Sequence, residues 1–166
     1  MSRFLKPQYW IIFIALILLG IILSKKQYLQ DGKVIESDVI EYYAYLPAVF
    51  IYKDIRLNFV DTYKGPHKFT IWVKKLENNN KLLMTSAGLA YLYSPFFITA
   101  HISAKLLGYD TGGYSMPYRL ALLLCTWVWL IIGLFVLFKL LSRYFPSSTV
   151  IIAHYWNCKD GLSFYF

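Results

Sequence analysis

Three charged residues in the polar stretch after the first apolar segment are of types suited to chemistry at a membrane surface. Asp38 and Glu41 lie three positions apart in the sequence SDVIE, and Lys81 lies where the chain becomes apolar again. A carboxylate in such a place can act as a general base, accept a hydrogen bond from a hydroxyl group, or help to hold a divalent cation. A lysine can bind a lipid phosphate as a point charge. We therefore take Asp38 as the candidate base, Glu41 as a second candidate acid and Lys81 as the candidate phosphate contact.

Each of these residues also has a purely structural interpretation. Ser37 or Asp38 could be the N-cap of a helix, and Glu41 completes a near capping box because it follows Asp38 by three positions. Lys81 could be an ordinary flanking lysine whose ammonium group reaches back to water from the edge of an apolar segment. The capping and catalytic roles of Asp38 do not exclude each other.

Apolar segments make up most of the chain around these charged residues and must position them. Hydrophobic residues make up 58% of the 166-residue chain, and the mean hydropathy is +0.46. A hydrocarbon core of about 30 Å requires about 20 apolar residues in a helix. We predict membrane spans at residues 8–24 and 118–141. A cleaved signal peptide is the alternative for the first, but Ser24-Lys25-Lys26 is not a small-x-small cleavage site, so the sequence favours an uncleaved anchor.

A third apolar segment, at residues 84–107, is interrupted by polar residues. Pro95 falls near its middle, and His101, Ser103 and Lys105 follow. Proline is tolerated in a membrane span where neighbouring groups satisfy the freed carbonyl, so we predict a kinked second span. A re-entrant or interfacial helix is the alternative. From about residue 147, the sequence SSTVIIA resembles the opening of a fourth span that does not develop.

The polar region at residues 25–81 holds seven of the nine acidic residues and is predicted to be a large extramembrane loop. Apolar and aromatic residues recur there at steps of three and four over residues 39–52, which predicts an amphipathic helix. Its tyrosines suit the membrane–water interface, so we expect this helix to lie on the membrane surface. The segment KFTIWV could be a short strand or an interfacial patch, and Asp31 and Glu36 are predicted to be solvated. The fold class is therefore an all-α integral membrane protein with about three transmembrane helices and a surface helix in its first loop.

The net charge of +8 does not indicate a nucleic-acid partner. The cations flank apolar segments or are spaced along one loop, and the sequence contains no nucleic-acid-binding motif. Basic flanks on membrane spans explain the charge, and membrane lipid is the expected partner. The positive-inside rule does not settle the orientation, because the 25–81 loop is close to the length limit of that rule. A re-entrant second segment would place Arg143 inside.

The order of these features resembles the amino-terminal part of GT-C-fold membrane glycosyltransferases that use polyprenyl-phosphate sugars, including protein mannosyltransferase-like and aminoarabinose transferase-like enzymes. The loop element is matched by SDVIEYYAYLPAVFIYKDIRL, and the second element by the stretch from KLLMTSAG to MPYRLALLL. The chain departs from the family pattern in three ways. Val39 replaces the second acid of an Asp-Glu pair, no Lys-Pro-Pro follows the loop, and family members usually have many more spans.

The resemblance implies inverting transfer of a hexosyl group from a polyprenyl-phosphate sugar. It makes Asp38 the base that takes a proton from the acceptor hydroxyl, and Lys81 a candidate contact of the donor phosphate. The surface helix would lie over the site where the lipid enters, in a bacterial inner membrane. The ending of the chain suggests an amino-terminal fragment, inactive alone, that requires a missing carboxy-terminal portion or a second membrane chain. The alternative is a small, non-catalytic membrane protein that acts as a partner-binding subunit.

Overall fold

The computed structural model describes residues 7–63, 71, 73–76 and 81–144, and this part of the chain is mostly helical. Its helices are α1 (Pro7–Ser24), a 3₁₀ turn (Gln27–Leu29), α2 (Ser37–Phe50), α3 (Phe59–Thr62), α4 (Gly88–Leu107) and α5 (Met116–Leu141). The chain divides into two compact units. One contains α1 and the part of α5 from Thr126 onward, and the other comprises residues 25–125.

Two helical segments of the described chain are long and apolar enough to cross a membrane. They are Tyr9–Leu29 and Met116–Leu141, and few of their residues are buried inside the protein. Helices are thus confirmed where spans were predicted at 8–24 and 118–141, and α5 begins two residues early because Pro117 suits the first turn of a helix. The segment predicted as the middle of three spans forms α4, which does not meet the same test of length and hydropathy.

In the first unit, α1 and α5 are joined by a side-chain hydrogen bond. The indole N–H of Trp127 donates to the backbone carbonyl of Ala15 at 2.8 Å. Ile11, Ala15 and Leu134 are buried, whereas Leu16 and Val136 are 60% and 63% exposed. An apolar helix with most of its surface exposed requires another apolar medium around it, which a bilayer would supply.

In the second unit, α2 packs its apolar face against α4. The buried residues of α2 recur at helical spacing and include Ile40, Tyr43, Ala44, Leu46 and Ala48. They form the core of this unit together with small residues of α4. The predicted amphipathic helix is thus confirmed, displaced by two residues from 39–52 to Ser37–Phe50, and its apolar face is covered by protein.

A short antiparallel hairpin departs from the all-α expectation. β1 (Val73–Lys75) pairs with β2 (Lys81–Leu83), with Val73 opposite Leu83 and Lys75 opposite Lys81. Lys81 and Leu83 are buried and Leu82 is exposed, as the alternation of a strand requires. This pairing explains why α4 begins at Gly88 rather than at residue 84. The predicted strand KFTIWV overlaps β1 only at Val73, and the predicted fourth span from about residue 147 lies outside the described residues.

The connection between α4 and α5 depends on two glycines with left-handed backbone. α4 ends at Gly108, whose φ is 73°, and the N–H of Tyr109 donates to the carbonyl of Ala104 at 2.9 Å. Gly113 has φ of 97°, and a Cβ at that position would lie 3.1 Å from Cβ of Pro47. The connection therefore turns back from the end of α4 and packs closely on α2.

Candidate functional site

Asp38 lies in the first turn of α2 and is exposed. The N-cap of α2 is Glu36, which has extended backbone, and no side chain makes a capping hydrogen bond at this end. The capping box therefore does not form. The described part of the chain offers no hydrogen bond or ion pair to the Asp38 carboxylate.

Glu41, the second candidate acid, differs from Asp38 in its exposure. Its side chain is buried, with only 5% of the residue exposed. Tyr45 follows Glu41 by one helical turn, and the pKa of Tyr45 is raised, first by its burial and second by the negative charge of Glu41. Asp38 and Glu41 are thus neighbours on one side of α2, but Asp38 is exposed and Glu41 is buried.

Lys81 lies on β2 and is paired with an acid that sequence reasoning did not select. Its ammonium group makes a hydrogen bond and ion pair with Asp61 of α3, and Lys81 is only 8% exposed. The hydrogen bond from Lys81 is the main cause that lowers the pKa of Asp61. Nothing in the described residues joins Lys81 to Asp38 or Glu41. A phosphate group could reach Lys81 only by displacing Asp61 or joining the pair.

A run of three backbone carbonyls after α4 is bound by three tyrosine hydroxyls. Tyr118 donates to the carbonyl of Thr111 at 3.2 Å, and Tyr52 donates to that of Gly112 at 3.1 Å. Tyr43 donates to the carbonyl of Gly113. The signal in the sequence was the glycine-rich stretch GYDTGGYS together with tyrosines in α2, just after α2 and in α5. These tyrosines lie far from one another in the chain, so spacing alone does not identify the carbonyls that they bind.

The same tyrosines belong to an aromatic cluster at the centre of the second unit. The ring of Phe97 lies 5.7 Å from Tyr43 and 5.3 Å from Tyr118, measured between centroids. Tyr52 stacks on Phe59 at 4.4 Å. Burial raises the pKa of Tyr52 to about 12 and raises that of Tyr43 well above its usual value. These hydroxyl groups therefore remain protonated donors at neutral pH.

An ion pair connects the segment after α1 to the first turn of α5. Nη1 of Arg119 lies 2.5 Å from Oδ1 of Asp31, and Arg119 is 5% exposed. Asp31 is exposed, as predicted for a solvated loop acid, and it also compensates the charge of the buried guanidinium, which the sequence did not indicate. Glu36, the other predicted loop acid, is exposed.

An apolar groove of about 380 Å³ lies between α2 and the first half of α4. Eight residues line it: Tyr45, Leu46, Val49, Phe50, Ala87, Ala90, Tyr91 and Ser94. The hydroxyl of Tyr45 donates to the carbonyl of Thr85 at 2.7 Å, which fixes this ring at the wall of the groove. The groove has the apolar character that would suit a hydrocarbon chain.

The described residues contain no group of three or more His, Cys, Asp or Glu side chains placed to hold a metal ion. A divalent cation at Asp38 would therefore require ligands from a substrate, water or another part of the protein. Comparison of the chain with protein-family models, curated proteins and solved structures found no match.

Proposed function

We propose that this chain is the amino-terminal part of a multi-span membrane glycosyltransferase that transfers a sugar from a lipid-phosphate donor. The proposal rests on the resemblance of SDVIEYYAYLPAVFIYKDIRL and the following segments to the GT-C class. In this account the chain is inactive alone and works with a further carboxy-terminal portion or a second membrane chain. It is a multi-pass protein of a bacterial inner membrane.

The observation that carries the proposal is the placement of Asp38. Its carboxylate projects from the first turn of a helix whose other side is buried, so the backbone at Asp38 is fixed and the carboxylate remains open to water. A general base needs a defined position and access to the acceptor hydroxyl whose proton it takes. In the proposed reaction Asp38 accepts this proton as the hydroxyl oxygen attacks the sugar carbon, and the lipid phosphate leaves with the bonding electron pair.

The groove between α2 and α4 and the lysine on β2 support the donor side of this proposal. An isoprenoid tail is a hydrocarbon chain, and the apolar lining of the groove matches it. Lys81 would contact the donor phosphate once the phosphate has replaced Asp61 as its partner, since one ammonium group can bind either anion.

The test is sugar transfer by native membranes that carry a substitution at Asp38. Membranes of the host would be given radiolabelled polyprenyl-phosphate hexoses, and transfer would be measured for the parent, Asp38→Asn and the matched control Glu36→Gln. Glu36 is also an exposed acid at the start of α2. We expect Asp38→Asn to lower the rate by about 10²–10⁴-fold at unchanged protein level, as for loss of a general base, and Glu36→Gln to leave it unchanged. Equal rates for the two variants would contradict the proposal.

A non-catalytic, partner-binding subunit is the second candidate, and the exposed surface of α1 favours it. Phe13 and Leu16 are 55% and 60% exposed on a helix that also packs on α5, so a helix of another chain could bind there. This function predicts that Asp38→Asn has no effect, whereas Leu16→Asn reduces co-purification of a second membrane chain.

A further inference from the structure

We propose that α4 contacts the membrane without crossing it: the chain that enters α4 and the chain that leaves it lie on the same side, and one stripe of the helix surface faces the acyl chains of a single leaflet. The stripe is Tyr91, Ile98, Ile102 and Leu106, which we call the outer stripe of α4. The partner of this surface is membrane lipid. The proposal does not depend on the glycosyltransferase activity.

The chain before α4 and the connection after it are bound by two tyrosines of one helix. Tyr45 binds the carbonyl of Thr85, three residues before α4, and Tyr43 binds the carbonyl of Gly113, six residues after it. Two positions in a helix are separated by only about 3 Å along its axis. The chain that enters α4 and the connection that leaves it therefore meet the same part of α2, rather than lying on opposite sides of a hydrocarbon core of about 30 Å.

The connection after α4 folds back along the helix instead of leaving its far end. A Cβ at Gly113 would lie 3.8 Å from the ring of Phe97, which is in the middle of α4. Asp110 and Thr111, in the same connection, are exposed. Were α4 a crossing helix, this polar connection would lie at the centre of the bilayer, where irregular backbone must be enclosed by protein or water.

The start of α5 is likewise bound to the residues that follow α1. Asp31, seven positions after the last residue of α1, pairs with Arg119 in the first turn of α5. Residues 31 and 119 therefore lie on the same side of the membrane. The chain between them must cross an even number of times, and α4 as a single complete crossing would make the number odd.

The outer stripe of α4 has the surface chemistry of a lipid contact. Its four residues are spaced by seven, four and four positions and are 78%, 43%, 54% and 80% exposed. The hydroxyl groups of Ser94, Thr99 and Ser103 each donate to a carbonyl of the same helix at 2.8 Å, so α4 satisfies them without water. No Asp, Glu, Lys or Arg occurs between Gly88 and Ala104.

Contacts with α5 place this stripe beside an apolar helix. Nδ1 of His101 lies 2.6 Å from the hydroxyl of Tyr118, and the thiol of Cys125 lies 3.5 Å from the carbonyl of Leu92. α4 therefore runs beside the first three turns of α5, in the opposite direction. Because those turns belong to a segment apolar enough to cross a membrane, the hydrocarbon that surrounds α5 also reaches the outer stripe.

The proposed topology also predicts which side of the membrane each end of α1 and α5 faces, which the charges of the 25–81 loop alone did not. With crossings at α1 and α5 only, the start of α1 lies on the same side as the end of α5, where Lys139 and Arg143 are found. Short basic flanks such as these two residues face the cytoplasm. The start of α2, and with it Asp38, then lies on the outer side.

Single-cysteine labelling in intact cells tests the topology. In a Cys125→Ala, Cys158→Ser background, a membrane-impermeant maleimide is applied to Lys74→Cys, before α4, to Thr111→Cys, after it, and to Arg143→Cys, after α5. All three positions are exposed. We expect rapid labelling at 74 and 111 and labelling at 143 only after permeabilisation. Labelling of positions 74 and 111 from opposite sides of the membrane would show that α4 crosses it. If intact cells label position 143 but not positions 74 and 111, the proposed outer location of the start of α2 is wrong. If the background fails to fold, Cys125 can be retained, since its exposure is 0%.

Nitroxide labels test the lipid contact. Ile102→Cys and the control Thr111→Cys are labelled in vesicles of phosphatidylethanolamine and phosphatidylglycerol, and collisions with oxygen and with a water-soluble nickel chelate are compared. We expect oxygen to dominate at 102 and nickel at 111. Nickel access at 102 equal to that at 111 would place the outer stripe in water, and an immobile label at 102 shielded from both reagents would show a protein partner; either result overturns the lipid contact.

Discussion

At the scale of single residues, the charged side chains of this chain are used in different ways that their spacing does not reveal. Asp38 is exposed, Glu41 is buried beneath it, and Lys81 is paired with Asp61, an acid twenty positions earlier. A cationic residue at an apolar boundary was visible in the sequence. Its partner was not, because Asp61 on α3 and Lys81 on β2 are twenty positions apart and no local pattern identifies their contact.

The pairing of Asp61 with Lys81 predicts a dependence of stability on acid pH. The pKa of Asp61 is lowered below its usual 3.8 by the hydrogen bond from Lys81, so the native state favours the ionised form. The stabilisation is fully present above the unfolded-state pKa and is lost as pH falls through the lower, folded-state pKa. We expect Asp61→Asn to lower the thermal midpoint at pH 7, and the difference from the parent to shrink below pH 3.8.

The measurement is thermal unfolding in detergent at a series of pH values, with Asp54→Asn as a control for the general effect of a removed charge. Asp54 binds the backbone N–H groups of Arg56 and Phe59 rather than a lysine. A difference between Asp61→Asn and the parent that stays constant down to the lowest pH would contradict the assigned ion pair.

At the scale of elements, periodicity predicted the helices well and their surroundings poorly. The steps of three and four residues found α2 within two positions, and the uncharged runs found α1 and α5. The same pattern on α2 was interpreted as a membrane-surface face, whereas the structure covers that face with α4. A helix on a membrane surface and a helix packed on protein both need an apolar stripe. Whether lipid or protein covers the stripe of α2 depends on where α4 lies, and the local sequence of α2 does not indicate that.

Phe97 of α4 is a buried member of the aromatic cluster that packs α4 against α2. It is 3% exposed and lies against the rings of Tyr43, Phe50 and Tyr118. Replacing a buried phenylalanine by alanine removes its contacts and leaves a cavity, which costs about 3–5 kcal/mol. We expect Phe97→Ala to lower the free energy of unfolding by this amount, measured by reversible denaturation in detergent micelles.

Phe96→Ala is the matched control, because Phe96 precedes Phe97 in the same helix and is only half-buried. It should lose clearly less stability than Phe97→Ala. Equal losses would mean that the stability of α4 comes from its helical structure or its lipid contacts and not from the aromatic cluster.

At the scale of the whole molecule, the account depends on α1 and α5 crossing a membrane. Composition predicted a membrane protein, and two segments of the described chain have the length and hydropathy to cross. The number of spans was harder to predict, because one apolar face of α4 packs on protein and another is exposed. Hydropathy averaged along the sequence does not distinguish these two faces. Long-range contacts such as Asp31–Arg119 were needed to distinguish a helix that crosses the membrane from one whose chain returns to the same side.

The most direct test is alkaline carbonate extraction of membranes from cells that produce the intact chain. Carbonate releases soluble and peripheral proteins and leaves proteins held by crossing helices in the bilayer, because apolar spans cannot be transferred to water. We predict that the chain remains in the membrane pellet together with a known integral protein. Recovery in the supernatant would show that α1 and α5 do not anchor the chain, and would contradict the topology, the lipid contact of α4 and the proposed lipid-linked reaction together.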